Sequence, residues 1–534
     1  MKKLSLFGNK VELSLPSIPQ HSCHPVASSL LRNLARRANS FWTQLTYFVL
    51  VSAVGYWALK LCEPKSSSYK PCDLDIFFTS VSANTVSSMS TVEMEAFSNS
   101  QLVIITLLML FGGEVFTSML GLYLSRSEFA GRDHREANSV TSDHSDNNIK
   151  LELPPLHPVT EANTFKFDPE MKGMPLKPAP SGEGLLKHRA TKYLSYVVLG
   201  YHFIVHAGGS TLLSAYISLV PSARKVLRHR GLTVQMFSVF MTVSTFANCG
   251  FVPTNENMLA FKHNPGLLWL LLPQVLLGNT LYPPCLRAAI WLLERVTGRA
   301  EFDYMLRNSG AMGYAYLLPG FHCLCLAATV GKFVLVQFVA LCCMEWDSPA
   351  MEGLSPYEKL VGALFEAVNT RHAGESVFDL SIISPAILVL FVLMMYLPPH
   401  TSFLPVRNGE TAPKIRRDEP RRHLLTCLMF SQLSYLVIFI ILICLTEREN
   451  LKNDPLNFNV LNITIETISA YGNVGFSVGY SCKRRLNRDS PCRDAEYGFV
   501  GRWSNKGKFI LIIVMLFGRL KKFNMKGGAA WSLS

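Results

Sequence analysis

The chain alternates long apolar runs with shorter polar segments. A helix needs about 20 apolar residues to cross the hydrocarbon core of a bilayer, which is about 30 Å thick. Because the number of suitable runs is even, we expect both termini to lie on the same side of the membrane. The eight candidate spans are 41–59, 102–124, 193–220, 267–286, 314–343, 382–397, 424–445 and 509–523.

A second pattern lies between the two members of each pair of spans. It consists of a half-length helical segment rich in small residues, then a tight turn, then a polar return. The unit of span, half-helix, turn and span therefore occurs four times, and an internal repeat of this kind defines the architecture. The four segments are FFTSVSANTVSSMST (77–91), FSVFMTVSTFANCGFV (237–252), KLVGALFEAVNTRHAGES (359–376) and NITIETISAYGNVGFS (462–477).

Composition agrees with a membrane protein. The chain has 534 residues, of which 49% are hydrophobic and 17% are charged, and its mean hydropathy is +0.22. A formal net charge of +13 would suit a nucleic-acid partner. The Lys and Arg residues, however, are concentrated in segments between apolar runs, as in the loops of membrane proteins. We therefore expect the lipid bilayer, and no nucleic acid, as a partner.

The distribution of basic residues predicts an orientation. Cytoplasmic loops carry an excess of Lys and Arg, so the cluster at Arg32, Arg36 and Arg37 and the loop 407–423 indicate that both termini are cytoplasmic. The basic stretches 222–231 and 482–488 would then lie outside, against the rule. No short apolar segment with a small-residue cleavage site precedes the first span, so we predict no cleaved signal peptide.

The predicted domain organisation follows the repeats. A charged stretch rich in Pro and Ser separates the first repeat from the second and is typical of a disordered linker. We predict a cytoplasmic tail (1–40), repeat A (41–125), a cytoplasmic disordered linker (126–190), repeat B (191–300), repeat C (301–400), a cytoplasmic basic loop (401–423) and repeat D with a short C-terminal tail (424–534).

Four half-helices predict a central pore. The ends of a re-entrant helix cannot face lipid, and are tolerated only where protein or a water-filled cavity surrounds them. If the four turns meet on one axis, their carbonyls form rings that replace the hydration shell of a cation. The C-terminal ends of the half-helices add partial negative charge. We therefore predict an all-α integral membrane protein with eight transmembrane helices and four re-entrant pore loops around one pore.

The turn residue of each segment must follow a backbone path that glycine permits best. Gly250, Gly374 and Gly475 supply it in repeats B to D, and Ser88 stands at the matching place in repeat A. The carbonyls of these residues are the predicted sites for a transported cation. Neighbouring residues are candidates for further filter carbonyls and for loop support: Val86, Ser87, Asn248, Cys249, Asn369, His372, Ala373, Asn473 and Val474.

With these motifs in view, the chain resembles the plant high-affinity potassium transporter (HKT) family of the Trk/Ktr/HKT superfamily. The resemblance is carried by TVSSMSTVEME (85–95), LMLFGGEVFTSMLGLY (108–123), NTRHAGE (369–375), SAYGNVGFS (469–477) and LFGRLKKFNMKGG (516–528). It implies four M1-pore-M2 repeats in one subunit, passive cation conduction, a plasma-membrane location and filter glycines at Gly250, Gly374 and Gly475. Superfamily members resemble dimers, so a homodimer is a further expectation.

Ser88 is the residue from which we predict which ion is transported. In this family a serine at the first filter position accompanies sodium-selective members, whereas a glycine there also accompanies potassium permeation. Serine carries a Cβ and a hydroxyl, so it disfavours the glycine backbone and breaks the equivalence of the four turns. We predict passive sodium-selective transport. A sodium-potassium symporter and a less selective monovalent cation channel stay open as alternatives, as does the role of Asn84.

Two ionisable residues fall inside apolar runs. Arg519 follows only about ten apolar residues of the last span. It is either a snorkelling cation at a helix end or, as the family resemblance implies, a pore constriction below the filter that acts as an electrostatic barrier. Glu114 lies beside Gly112 and Gly113, and we favour a buried acid paired with a neighbouring repeat over an ion-binding role.

The sequence contains few other candidates for catalytic or metal-binding residues. The histidines 202, 206 and 322 stand alone on apolar faces, and no CxxC pair or P-loop is present. The sequence CDLD (72–75) resembles a metal-binding DxD motif but sits in a short loop. We therefore expect no enzyme activity and no cofactor apart from transported Na⁺ and, under the alternatives, K⁺. Cys482 and Cys492 are either free or joined in an extracellular disulfide.

Overall fold

The computed structural model describes residues 40–65, 71–123, 182–401, 432–485, 492, 494 and 497–524. Regular structure in these residues is helical, and each predicted repeat contains a first helix, a short pore helix and a second helix. Nearly all of the predicted N-terminal tail, most of the predicted linker and the loop 402–431 lie outside the described residues. The pore helices are Asp73–Asn84 (A), Val234–Ala247 (B), Pro356–Asn369 (C) and Val460–Gly472 (D).

The longer helices flank these pore helices. The first helices are Ser40–Leu61 (A), Gly182–Leu219 (B), Gly320–Glu345 (C) and Gln432–Thr446 (D). The second helices are Asn99–Gly112 with Glu114–Tyr123 (A), Pro265–Leu277 with Tyr282–Thr297 (B), Pro385–Tyr396 (C) and Asn505–Asn524 (D). Three further short helices, Pro221–His229, Ala300–Arg307 and Arg448–Asn453, connect them.

Several boundaries differ from the sequence prediction. Residues 182–190, assigned to the linker, are helical, because the first helix of repeat B begins at Gly182. The first helix of repeat C begins at Gly320 rather than at residue 314, since Pro319 precedes its first turn. The predicted span 267–286 is two helices, separated at residues 278–281.

Judged by length and apolar composition alone, fewer helices could cross a membrane than the eight predicted. Among the described residues two helices are long and apolar enough to cross a membrane, Leu186–Leu219 and Gly320–Glu345, and the bent pair of repeat A would make a third. Several second helices fall short because they are interrupted. The number of spans therefore stays a prediction.

Each pore helix starts at a capping residue or at acidic residues and ends in the protein interior. Ser355 and Glu358 form a capping box at pore helix C, and Thr233 and Asn459 cap pore helices B and D. Pore helix A instead carries Asp73 in its first turn. All residues 78–84 of pore helix A and 240–247 of pore helix B are buried. The half-helices are therefore surrounded by protein, as a re-entrant helix requires.

The second helices cross the ends of the pore helices at a matched place. A Cβ on Gly112, Gly278 or Gly518 would overlap the carbonyl oxygen of Asn84, Phe246 or Tyr471, respectively. Each of these carbonyls lies four residues before the filter residue of its repeat, so the three crossings share one register. Glycine is required there because the two backbones are in contact.

The second helices differ at this crossing. In repeat A the helix bends by 59° between Gly112 and Glu114, and in repeat B it is interrupted after Leu277. In repeat C it ends at Tyr396, before Pro398 and Pro399, where a further turn would lack a backbone donor. Repeat D alone of the four continues through its glycine as one helix, Asn505–Asn524.

Candidate functional site

The turns of repeats A, B and D leave their pore helices in the same way. The first turn residue adopts a left-handed conformation in each, with φ of 52° at Val86, 56° at Asn248 and 50° at Asn473. The next backbone N–H then reaches back to a carbonyl five residues earlier, as at Cys249, which donates to Ser244 over 2.9 Å. This is the Schellman closure of a helix. Asn tolerates the conformation, whereas Val, being β-branched, is strained in it.

The filter position two residues later also has a positive φ. The angle is 51° at Ser88, 88° at Gly250, 66° at Gly374 and 105° at Gly475. The structure therefore places the four sequence-predicted filter residues in the backbone region that favours glycine. Ser88 differs from the other three because it carries a side chain in that conformation.

Repeat C reaches the same position by a different turn. Pore helix C ends at Asn369, and the Gly374 N–H donates to the Asn369 carbonyl over 3.1 Å. His372 is held on both ring nitrogens: one lies 2.6 Å from the Val368 carbonyl oxygen, and the other lies 2.7 Å from the Thr280 hydroxyl of repeat B. A neighbouring repeat thus fixes this turn.

The turns of repeats B, C and D are in direct backbone contact. A Cβ on Gly250 would overlap the carbonyl oxygen of Ala373 in repeat C. A Cβ on Gly374 would overlap the carbonyl oxygen of Val474 and would lie 2.8 Å from the carbonyl carbon of Gly475, both in repeat D. Turn B therefore touches turn C, and turn C touches turn D.

Repeat A closes the ring. A Cβ on Gly475 would overlap the Cβ of Ser88 and would lie 3.1 Å from the Ser87 carbonyl oxygen. On the other side of repeat A, the thiol of Cys249 in repeat B interacts with the backbone of Ser88. The four turns therefore follow one another cyclically in the order A, B, C, D, and the Ser88 side chain lies against the glycine of repeat D.

Asn473 links the last repeat to the first. Its side-chain amide donates to the Ser87 hydroxyl over 2.8 Å and to the Met515 carbonyl over 3.1 Å. The corresponding amides of Asn248 and Asn369 donate to carbonyls of their own pore helices. Of these three asparagines, Asn473 is therefore the one whose side-chain amide donates a hydrogen bond to a neighbouring turn.

Asn84 has a clear structural position. Its side-chain amide donates to the Phe48 carbonyl over 2.8 Å and to the Ser52 hydroxyl over 2.9 Å. Both partners belong to the first helix of repeat A. The last residue of pore helix A is thereby fixed to the helix behind it.

Two buried glutamates support the chain beyond the filter. Glu366 of pore helix C accepts from the Ser376 hydroxyl and from the Val377 N–H, each over 3.1 Å. Glu466 of pore helix D accepts from the Ser477 hydroxyl and from the Val500 N–H, again over 3.1 Å. In both repeats the serine stands two residues after the filter glycine, so the arrangement is part of the internal repeat.

A buried ion pair lies at the crossing of the second helices. Arg519 follows Gly518 in repeat D and is fully buried. Its guanidinium donates to the Glu114 carboxylate over 3.1 Å and to the Gly112 carbonyl oxygen, and it lies 5.6 Å from the centre of the Phe48 ring. Burial within protein argues against a snorkelling side chain. Glu114 has the partner in a neighbouring repeat that the sequence analysis favoured.

Repeat C also reaches this ion pair. His400, which follows the two prolines that end the second helix of repeat C, lies 3.9 Å from the Glu114 carboxylate. Residues from three repeats therefore meet around Glu114, at the level where the second helices cross the pore-helix ends. The arrangement places a buried acid, a buried base and a histidine from three repeats close together.

The basic stretch 482–488, which opposes the orientation rule, is described up to Arg485. Cys482 and Cys492 are joined in a disulfide, with their Cα atoms 5.9 Å apart. Arg484 donates to the Ser381 carbonyl of repeat C over 2.7 Å. The segment closed by the disulfide is therefore attached to repeat C through Arg484.

Several of these residues were missed by the sequence analysis. They include Glu366, Glu375 and Glu466, which are fully buried beside the filter. A signal was present: a single acid interrupts each of the otherwise uncharged stretches VGALFEAVN and ITIETIS. Thr280, which lies beside His372 of repeat C, and Thr245, which donates to Glu375 of repeat C over 2.7 Å, carry no comparable signal in the sequence.

A cyclic set of four turns, each following a buried half-helix, with a buried ion pair at the crossing of the second helices, is the arrangement expected of an integral membrane protein that moves cations. A family described as TrkH, cation transport protein, matches residues 179–402 and 414–525. The chain belongs to this family, and within it to the HKT transporters of plants. Membership confirms the resemblance found in the sequence, the all-α membrane architecture with pseudo-repeats, and the prediction that the chain is not an enzyme.

Individual relatives are similar over nearly their whole length. The chain is 50% identical to "Cation transporter HKT1;3" of Oryza sativa subsp. japonica, covering 93% of this chain and 92% of the relative. It is 51% identical to "Sodium transporter HKT1" of Arabidopsis thaliana, covering 89% and 92%. The solved potassium transporter TrkH from Vibrio parahaemolyticus is 14% identical, with a TM-score of 0.49 over 91% of this chain and 84% of that one.

Proposed function

We propose that the chain is a passive sodium-selective uniporter or channel of the plasma membrane, with both termini cytoplasmic. The conducted ion would pass the carbonyls of Ser88, Gly250, Gly374 and Gly475. The observation that carries this proposal is the position of Ser88 in the ring. Its Cβ lies against Gly475, where the symmetric arrangement would have two glycines.

A physical argument links that position to the ion. A filter replaces the water around a cation with carbonyl oxygens, so its selectivity depends on the geometry and number of those oxygens. Ser88 adds a Cβ and a hydroxyl where repeats B to D have hydrogen, so one of the four walls is bulkier and stiffer. The larger potassium ion loses more than sodium when one wall cannot adjust. The relative from Arabidopsis thaliana, described as a sodium transporter, supports the same ion.

Arg519 is the second residue, after Ser88, to which the proposal assigns a role in conduction. A guanidinium at the crossing of the second helices places positive charge below the filter and opposes the accumulation of cations there. Glu114 neutralises part of that charge at a distance of 3.1 Å. The pair would therefore act as a barrier of moderate height that limits current without blocking it.

The test is a measurement of current from purified protein in liposomes, with sodium alone, potassium alone and both ions together. We expect electrogenic current with sodium alone, little with potassium alone, and no stimulation by their combination. Current that requires both ions would establish the symporter alternative, and equal currents would establish the less selective channel. An absence of electrogenic flux would contradict conduction itself.

A further inference from the structure

The contact between repeats B and C contains a buried polar pair that plays no part in the proposal above. Thr245, in the last turn of pore helix B, donates its hydroxyl to the Glu375 carboxylate over 2.7 Å. Both side chains are fully buried. Glu375 directly follows the filter glycine Gly374, so the bond connects the filter strand of one repeat to the pore helix of the next.

The other repeats have no such pair. The residue after the filter position is large, apolar and buried in each of them: Met89 in A, Phe251 in B and Phe476 in D. The position five residues before the filter, which Thr245 occupies in B, holds Ala83 in A, Asn369 in C and Ala470 in D. A carboxylate facing a hydroxyl is therefore specific to the contact between B and C.

The pair lies in the middle of a series of contacts between the same two repeats. On one side of it, Gly250 touches the carbonyl of Ala373. On the other, the Met258 N–H donates to the Ser376 carbonyl over 3.1 Å. Glu375 is between Ala373 and Ser376 in sequence, so its bond to Thr245 lies within this series of contacts.

The environment of Glu375 gives this one bond unusual weight. Among the described residues no Lys, Arg or His forms an ion pair with its carboxylate, and its second oxygen, Oε2, is buried without a hydrogen-bond partner. The Oε2 atom of Glu466 is likewise without a partner, but Glu366 and Glu466 each accept two hydrogen bonds, from a serine hydroxyl and a backbone N–H, where Glu375 accepts one. The Thr245 hydroxyl is thus the hydrogen-bond donor that orients Glu375.

We propose that the hydrogen bond from Thr245 to Glu375 is a specificity-determining positioning contact, which holds the filter strands of repeats B and C at the separation that excludes potassium. This inference rests on the proposed sodium selectivity. Without the bond the strand that carries Gly374 relaxes outward, and a filter with a looser wall adapts to the larger ion. The pair acts through the carbonyls and does not itself contact the ion.

The experiment compares the ratio of sodium to potassium permeability, from reversal potentials, in matched variants of the full chain. Thr245→Val removes the hydroxyl at constant shape, and Glu375→Ala removes the acceptor. Because either change removes the bond, each should lower the ratio about three- to tenfold. Thr245→Ser and Glu375→Gln keep a donor and an acceptor, and should stay within about twofold of the original chain.

Thr242→Val is the matched control. Thr242 lies on the same pore helix and is fully buried, but its hydroxyl donates to the Ser238 carbonyl of its own helix. It should leave the permeability ratio unchanged. Surface labelling of each variant separates a change in selectivity from a failure to fold.

The double variant Thr245→Val, Glu375→Ala decides whether the two residues act as a unit. A ratio no lower than that of the single variants supports the contact, because either change already removes the bond. Additive losses would overturn it. So would an effect of Glu375→Gln as large as that of Glu375→Ala with none from Thr245→Val, since charge would then be the cause. If the original chain does not discriminate between the ions, the proposed function fails first.

Discussion

Repeats A and D contain the same turn built from different residues. Both leave the pore helix through a left-handed residue, and both place a second positive φ at the filter position. Repeat D uses Asn473 and Gly475, which suit those conformations, whereas repeat A uses Val86 and Ser88, which do not. Two different sequences therefore adopt the same backbone path. The backbone is more strained in repeat A, because its filter residue carries a side chain.

The second helices of the two repeats extend the comparison. Repeat D remains helical through Gly518 and presents Arg519, and repeat A bends after Gly112 and presents Glu114. The two side chains form the buried pair. Repeats A and D therefore contact each other through complementary residues at two places. Ser88 lies against Gly475 at the turns, and Glu114 pairs with Arg519 where the second helices cross.

The largest effect is expected from Gly475→Ser, which makes repeat D like repeat A. The new Cβ would overlap the Cβ of Ser88, and the glycine already has a φ of 105°. Overpacking of this kind costs about 1–3 kcal/mol before backbone strain is added. We expect sodium current to be nearly abolished while surface expression persists.

The exchange variant Gly475→Ser, Ser88→Gly sharpens that prediction. It moves the side chain from repeat A to repeat D and removes the overlap between them. Partial recovery of current, relative to Gly475→Ser alone, is the expected result of a ring in which the two positions are neighbours. No recovery at equal expression would contradict their contact.

The ion pair should give the next largest effect. Glu114→Gln leaves Arg519 buried without its carboxylate, and breaking a buried pair by removing one partner costs about 3–5 kcal/mol. Where protein reaches the surface, the uncompensated positive charge should reduce inward current. Arg519→Gln combined with Glu114→Gln should restore expression and weaken rectification. Current-voltage curves from the double variant that match those of the original chain would contradict the barrier.

The smallest effect concerns Val86. Asn tolerates a positive φ better than Val, so Val86→Asn should relieve about 1 kcal/mol of strain. The thermal midpoint of the detergent-solubilised protein should rise slightly, with unchanged permeability. The reciprocal variant Asn473→Val should lower the thermal midpoint. This decrease should be larger than the increase caused by Val86→Asn, because Asn473→Val also removes the hydrogen bond to Ser87. A lower midpoint for Val86→Asn would show that packing of the valine outweighs its strain.

The sequence predicted the four short helices and the turns that follow them well, because four similar segments can be compared within one chain. It did not predict the breaks in the second helices of repeats A and B, where apolar residues continue through Gly113 and Gly278. Gly518 makes the same contact with a pore-helix carbonyl in repeat D, where the helix is unbroken, so a glycine in an apolar run does not by itself predict a break. The pairing of Thr245 with Glu375 was also beyond the sequence, since the partners are 130 residues apart.

The most direct test of the central claim is the reversal potential of Ser88→Gly, compared with the original chain, under mixed sodium and potassium. Glycine removes the Cβ that faces Gly475 and makes the four filter positions equivalent. We predict that the reversal potential shifts toward the potassium equilibrium potential as potassium permeability rises. An unchanged reversal potential, in a variant that conducts sodium normally, would contradict the assignment of ion selectivity to Ser88.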